Sequence, residues 1–146
     1  MEYESGKPGE DSMTMMTKEN IGFSRTVDSD FDTAIARVTE TLAEQGFGVL
    51  TEIDVKATLK AKLDQDFRKY RILGACNPPF AHKALEAELL VGLMMPCNVI
   101  VYEDDEERVN VVGFNPEAML AAFDRPELVE LAAEISQRMK AAVENM

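Results

Sequence analysis

The sequence predicts an α+β domain built on one curved antiparallel or mixed β-sheet, with helices packed on one face. Short segments of strand character alternate along the chain with segments of helical periodicity. An acidic turn also joins two neighbouring apolar segments as a hairpin. A doubly wound parallel sheet is the second choice, because strands joined by a tight turn pair antiparallel.

The first half of the domain alternates strands and helices. Residues 21–27 have strand character, and residues 28–30 supply N-cap oxygens for a helix that ends at Gly46. The apolar face of this helix has helical spacing and consists of Phe31, Ile35, Val38 and Leu42. Residues 47–55 alternate as a strand, a short helical stretch with Leu59 and Leu63 follows, and residues 67–76 form another strand.

The second half begins with Asn77-Pro78, an N-cap residue followed by proline, which predicts a helix that runs to about residue 90. Residues 97–102 form a strand, the acidic residues 103–107 form a solvated turn, and residues 108–114 return as the second strand of a hairpin.

Two helices complete the domain. Asn115-Pro116 repeats the N-cap and proline pattern before a short helix, and Pro126 begins the last helix. The last helix has the most regular apolar stripe of the chain, formed by Leu128, Leu131, Ile135, Met139 and Val143.

The composition sets limits on function. The chain has 146 residues, 46% hydrophobic and 29% charged, with a formal net charge of -12. A chain of this length buries a core without disulfides or a structural metal, so we expect no cofactor for folding. The acidic balance disfavours nucleic-acid binding, because phosphate backbones are repelled. We expect no membrane segment and no signal peptide, and therefore a cytoplasmic protein.

The domain boundary lies near residue 20. Residues 1–20 are polar and lack periodicity, so they predict a flexible N-terminal arm, and residues 21–146 form the single domain. Met13, Met15 and Met16 in this arm are compatible with soft-metal binding or with a mobile tail.

Cysteine and histidine are scarce. Cys76 and Cys97 are expected to be reduced thiols, and their spacing with His82 does not match a structural zinc site. Any scheme with a nucleophile and a histidine base therefore depends on His82.

Three segments carry a family resemblance: FGVLTEIDV from residue 47, YRILGACNP from residue 70 and LMMPCNV from residue 93. Together they resemble the DUF302 family of bacterial and archaeal proteins of unknown function, over about residues 21–146. The resemblance implies a compact α+β domain similar to the TATA-binding-protein arrangement, and it implies dimers. It implies no activity.

The two Cys-Asn segments form the candidate site. Cys76-Asn77 ends one strand and opens a helix, while Cys97-Asn98 begins another strand. If the strands are neighbours, the thiols and amides converge at one sheet edge, with His82 one helical turn beyond Pro78. A helix N-terminus there favours a thiolate or an anion such as a carboxylate. Core packing of the thiols and backbone capping by the Asn side chains explain the same residues without a function.

Two functions remain open, and no catalytic residue is assigned. The first is a non-enzymatic homodimeric module that binds a small molecule, an anion or a partner at Cys76, Asn77, His82, Cys97 and Asn98. The alternative is a thiol-dependent redox or sulfur-handling protein, with Cys76 as nucleophile and Cys97 as resolving thiol. One form of this alternative also has the two thiols bind a soft metal. Glu52 and Asp54 also share one strand face and form a possible carboxylate pair.

Overall fold

The structure, a computed structural model, describes residues 12–17 and 19–146, except for the side chain of Ala121. The strands are β1 (Met15–Met16), β2 (Gly22–Val27), β3 (Gly48–Asp54), β4 (Tyr70–Cys76), β5 (Cys97–Glu103) and β6 (Val109–Phe114). The helices are α1 (Phe31–Glu44), α2 (Val55–Leu63), α3 (Pro78–Ala87), α4 (Glu117–Leu120) and α5 (Pro126–Glu144), with 3-10 helices at Leu89–Met94 and Ala121–Phe123.

All six strands belong to one curved sheet in the order β1-β2-β6-β5-β4-β3. Every neighbouring pair is antiparallel, including the β5–β6 hairpin around the acidic turn. The predicted α+β class with an antiparallel sheet is therefore confirmed, and the second choice of a doubly wound parallel sheet is wrong.

The main core lies between one face of the sheet and helices α1 and α5. The sheet contributes buried aliphatic side chains from its central strands, among them Leu73, Val99, Val101 and Val111. Helix α1 contributes Phe31, Val38 and Leu42, and helix α5 contributes Ile135 and Met139, as the helical spacing predicts.

A second, smaller apolar cluster lies beside the main core. Its buried residues are Ala84 from α3, Val91 from the first 3-10 helix and Leu128 from α5. Half-buried side chains pack around them, including Met95, Leu120 and Leu131.

The third helix is shorter than the sequence predicts, because α3 ends at Ala87 and a 3-10 helix continues the segment.

Part of the N-terminal segment belongs to the sheet. Met15 pairs with Ser24 and Met16 pairs with Phe23, and Ser12 donates a backbone hydrogen bond to the Thr26 carbonyl at 2.8 Å. The arm predicted at 1–20 also covers residues 1–11 and 18, which lie outside the described residues. Met13 is exposed.

Helix α5 is the longest of the described helices, and a basic side chain from β2 binds the free carbonyl groups at its C-terminal end. Arg25 Nη1 donates to the carbonyls of Val143, Glu144 and Met146 at 3.2, 2.7 and 3.3 Å. A cation at this position also complements the negative end of the helix dipole. Within residues 12–17 and 19–146, no helix is both long and apolar enough to cross a bilayer.

The acidic turn at 103–107 is not uniformly solvated, contrary to the sequence-based expectation. Asp104 accepts bonds from the backbone N–H groups of Glu106 and Arg108, both at 3.0 Å, and pairs with the Arg108 guanidinium at 3.0 Å. The buried Asn110 donates to the same carboxylate at 3.0 Å and accepts from Thr26 at 2.7 Å. Asp104 therefore organises the turn, while Asp105, Glu106 and Glu107 are exposed.

Candidate functional site

A cavity lies at the end of the sheet where β4 ends and β5 begins. It encloses about 70 Å³ of free space and lies between the two apolar clusters, since it is lined by Phe47 and Ile135 of the main core and by Ala84 and Val91 of the smaller one. Strand ends, α3, the first 3-10 helix, α4 and α5 all contribute to its wall.

The lining carries no charged side chain. Phenylalanine, aliphatic and proline carbons form most of it, and four sulfur-bearing residues complete it: Cys76, Met94, Met95 and Cys97. Asn77 is the polar side chain of the wall. Such a surface favours apolar groups, because it offers few hydrogen bonds to replace those that a polar ligand makes with water.

Cys97 is held in the cavity wall by sheet register. It stands opposite Ala75 in the β4–β5 pairing, and Cys76 is the next residue of β4. Both cysteines are free and half-buried. Burial, with a smaller contribution from the neighbouring Cys76 thiol, raises the pKa of Cys97 to about 11. Cys97 is therefore a neutral thiol at neutral pH, which gives it low nucleophilicity.

Asn77 occupies the N-cap position of α3, but its side chain makes no capping hydrogen bond. Its Nδ2 instead donates to the Gln45 carbonyl at the end of α1, at 3.1 Å. Gly46 has a φ of +86° and passes so close to this amide that a Cβ there would lie 3.0 Å from Nδ2. The predicted position of Asn77 is correct, whereas side-chain capping by Asn77 is wrong.

The start of α3 is a poor anion site. Pro78 and Pro79 fill the first two helical positions and have no N–H group. The Ala81 N–H already binds the Asn77 carbonyl at 2.9 Å. A helix N-terminus normally offers free backbone N–H groups to an anion, and the two prolines remove two of these donors from α3.

The predicted site residues divide into two groups. The structure brings Cys76, Asn77 and Cys97 to one cavity. His82 lies on the outer side of α3, where its side chain is 75% exposed and its Nε2 contacts Glu86 Oε1 at 2.7 Å. Asn98 is exposed and stands opposite Gly74, on the sheet face away from Cys97. His82 is thus not placed to act as a base for either thiol.

The carboxylate pair on β3 has a basic partner. Arg71 of β4 contacts Glu52 Oε1 at 2.5 Å and Asp54 Oδ2 at 3.5 Å. Asp54 Oδ1 also accepts from the Ala57 N–H at 2.9 Å and caps α2. These contacts explain both carboxylates structurally. Among the described residues, no group of three or more His, Cys, Asp or Glu side chains is placed to hold a metal ion.

Sequence reasoning missed the residues that shape most of the cavity. Phe80, Ala81 and Ala84 of α3 face it, as do Leu131 and Ile135 of α5. The spacing of Phe80 and Ala84 by four residues marks the inner face of α3 and places His82 on the other side. That spacing is the signal in the sequence that separates His82 from the thiols.

These features define a class of protein: an antiparallel α+β domain with an uncharged cavity at one end of its sheet. The family described as "Domain of unknown function DUF302" matches residues 23–146, so the chain belongs to this family and the resemblance is confirmed. The crystal structure of an uncharacterized conserved DUF302 protein from Bacillus stearothermophilus is similar, with a TM-score of 0.78 and 32% identity over 84% of this chain and 94% of that chain. No curated protein matches the chain significantly.

Proposed function

We propose that the protein is a non-enzymatic module that binds a small apolar group in the cavity at the end of β4. The observation that carries the proposal is the position of the cavity between two apolar clusters, with an uncharged wall. A ligand in this place contacts both clusters, so its binding replaces missing packing contacts on both sides.

The size of the cavity limits the ligand. A water molecule needs about 10–15 Å³ of space by this measure, so the cavity holds roughly five such positions. We infer a ligand whose buried part has about five carbon-sized atoms, either as a whole molecule or as the end of a longer one.

The thiol-dependent alternative uses the same wall. The proximity of Cys76 and Cys97 supports this alternative, and the two methionine sulfur atoms of the wall suit a soft metal. It is disfavoured by the raised pKa of Cys97 and by the distant position of His82, since a resolving thiol attacks as a thiolate. We therefore place apolar binding first.

A filling variant tests the proposal. Ala81 lines the cavity from α3 and is half-buried, so Ala81→Leu puts three extra carbon atoms towards the free space. Hexan-1-ol is the probe, followed by chemical-shift changes in ¹⁵N-labelled protein. We expect shifts around Cys97 and Ala84 in the native protein and at least fivefold weaker binding in Ala81→Leu.

Ala36→Leu is the matched control, because Ala36 is exposed on α1 and the substitution adds the same side chain away from the cavity. We expect native affinity in this control. Hexan-1-ol that shifts no cavity residue, or that binds Ala81→Leu as well as the native protein, contradicts the proposed function.

We further propose that the module is a homodimer, with a second copy on the sheet face away from α1 and α5. Over strands β3–β5 this face carries no charged side chain, although 29% of the chain is charged. Its residues are Thr51, Ile53, Tyr70, Ile72, Gly74, Asn98, Ile100 and Tyr102.

The register of the strands makes this face continuous. Ile53, Ile72 and Ile100 stand side by side across three strands, and Ile53 is 48% exposed. Tyr70 and Tyr102 stack next to this row with ring centroids 5.6 Å apart. An uncharged patch is suited to a two-fold axis, because the same residues then meet themselves.

Sedimentation equilibrium tests the dimer. We expect the native protein to sediment as a dimer and Ile100→Lys as a folded monomer, because the new charge is buried in the interface. Leu63→Lys is the control, since Leu63 is 63% exposed at the end of α2. A native protein that is still monomeric at about 100 μM contradicts the dimer, and so does an Ile100→Lys variant that still dimerises. A dissociation constant of about 100 μM corresponds to a binding free energy of about -5.5 kcal/mol.

A further inference from the structure

Two cations lie over the ring of one residue of the cavity wall. Phe80 of α3 lines the cavity, and its ring has Arg138 Cζ at 5.3 Å and Lys83 Nζ at 5.8 Å from its centroid. Arg138 comes from α5 and is half-buried, while Lys83 is exposed one turn beyond Phe80. Two helices thus bring positive charge to the same wall residue.

Arg138 also lies beside the polar lining residue. Its Nη1 donates to the Gln45 carbonyl at 3.3 Å, and Asn77 Nδ2 donates to the same oxygen at 3.1 Å. The shared acceptor fixes the guanidinium next to the Asn77 amide. The Asn77 amide and the Arg138 guanidinium therefore lie side by side, and Lys83 lies over the ring of the same wall residue, Phe80.

Neither cation is neutralised within the part of the chain that the structure describes. Lys83 and Arg138 form no ion pair with any described carboxylate, although the chain has 27 acidic residues and basic side chains such as Arg71 and Arg108 do pair. Two basic groups without a carboxylate partner attract an anion in a protein of net charge -12.

We propose that the ligand is a short-chain carboxylate, with its apolar tail in the cavity and its carboxylate group between Arg138 and Lys83. This inference rests on the proposed function, because it needs the cavity to accept the tail. The carboxylate would lie at an exposed to half-buried position, so it keeps part of its hydration. It also gains charge-assisted hydrogen bonds from the guanidinium and the ammonium group. Arg138 and Lys83 then determine which head group is accepted.

Three probes with the same tail length separate the two proposals. Hexanoate, hexan-1-ol and hexylamine differ in the charge of the head group. We expect the native protein to bind hexanoate at least fivefold more tightly than hexan-1-ol, and to bind hexylamine more weakly than either. Titrations are followed by chemical shifts in ¹⁵N-labelled protein at low ionic strength, where charge attraction is least screened.

Charge-removing variants assign the head group to its partners. Arg138→Gln and Lys83→Gln are each expected to weaken hexanoate binding about threefold and to leave hexan-1-ol binding unchanged, since an exposed ion pair contributes modestly. Lys62→Gln removes the same charge from the exposed face of α2 and is the control, with native binding of both probes.

Equal binding of hexanoate and hexan-1-ol, with no effect of Arg138→Gln or Lys83→Gln, overturns the carboxylate inference and leaves the apolar cavity in place. Failure of hexan-1-ol to shift cavity residues overturns the proposed function and the inference with it. If Arg138→Gln unfolds, the exposed Lys83→Gln alone still decides, because its side chain makes no described hydrogen bond that holds the fold.

Discussion

Asn77 joins the start of α3 to the end of α1 through a hydrogen bond of 3.1 Å from its Nδ2 to the Gln45 carbonyl. The residue stands at an N-cap, yet its amide serves a different helix. Gly46, with φ at +86°, brings the α1 terminus close enough for this contact. One buried amide thus positions both the wall of the cavity and the helix that carries Phe80.

Replacement of Asn77 by aspartate distinguishes these two roles. Aspartate is as good an N-cap residue as asparagine, but it has no N–H to donate to Gln45. We expect Asn77→Ala to be destabilised by about 1–3 kcal/mol, because a buried polar contact is lost, and Asn77→Asp by at least as much, because its carboxylate faces the Gln45 carbonyl oxygen. Urea unfolding measures the change, and a fully stable Asn77→Asp contradicts the assigned role.

Asp104 makes the stability of the hairpin pH-dependent. Burial works to raise the pKa of Asp104, but the Asn110 amide, the Arg108 and Glu106 N–H groups and the Arg108 charge together lower it below its ordinary value. A carboxyl with a lowered folded-state pKa adds stability above its unfolded pKa of about 3.9, and this stability is lost as pH falls through the folded value.

We therefore expect Asp104→Asn to be destabilised by about 1–2 kcal/mol at pH 7, and the difference from the native protein to shrink below about pH 4. Urea unfolding at pH 7 and pH 3 measures both. Asp105→Asn is the control, because Asp105 is 84% exposed and its pair with Arg68 contributes less than about 1 kcal/mol. Equal losses in the two variants would refute the role of Asp104.

The sequence indicated the sheet better than it indicated the site. Local signals were sufficient for the β5–β6 hairpin and for the apolar stripe of α5, because alternation and helical spacing act over a few residues. The strand before Cys76 begins at Tyr70 rather than near residue 67, which is a boundary that periodicity leaves open. Asp104 escaped a composition-based view, since its partner Asn110 is itself held by Thr26 of β2, which is distant in sequence.

The cavity could not be predicted in the same way. Its wall is assembled from Phe47, Phe80, Met95 and Leu131, which are separated in sequence and meet only when α3 and α5 pack at the sheet end. Cys76 and Cys97 stand out in the sequence as two Cys-Asn segments, and they meet at the cavity because their strands are neighbours in register. A gap between two apolar clusters is a property of packing, and no single segment carries its pattern.

Gly113 is required by the close approach of α5 to β6. A Cβ at this position would lie 2.7 Å from Met139 Sδ, 2.9 Å from Met139 Cγ and 3.2 Å from Val143 Cγ2. We expect Gly113→Ala to be destabilised by about 1–3 kcal/mol, because these fully buried side chains have little room to move.

Gly48→Ala is the matched control for this prediction. No atom lies within 4 Å of a Cβ built on Gly48, and its φ is not in the left-handed region. We expect this variant to be neutral or more stable by up to about 1 kcal/mol, because alanine reduces the entropy of the unfolded chain. Thermal and urea unfolding compare the two, and similar losses in both would show that crowding at Met139 is not the cause.

Cys97 is expected to be the slower of the two thiols. With its pKa raised from 9.0 to about 11, Cys97 has roughly a hundredfold smaller thiolate fraction at pH 8 than an ordinary thiol. Alkylation by iodoacetamide requires the thiolate, so the rate at Cys97 should rise tenfold for each pH step from 8 to 10. Mass spectrometry of Cys76→Ser follows this rate without interference from the second thiol.

Removal of the neighbouring thiol has a smaller effect than burial. Because Cys76 is the lesser cause of the raised pKa, Cys76→Ser should lower the pKa of Cys97 only slightly, whereas urea-unfolded protein should alkylate at the rate of an ordinary thiol. Fast alkylation of native Cys97 at pH 7 would contradict the neutral thiol. It would then favour the thiol-dependent alternative, since fast alkylation at neutral pH requires a substantial thiolate fraction.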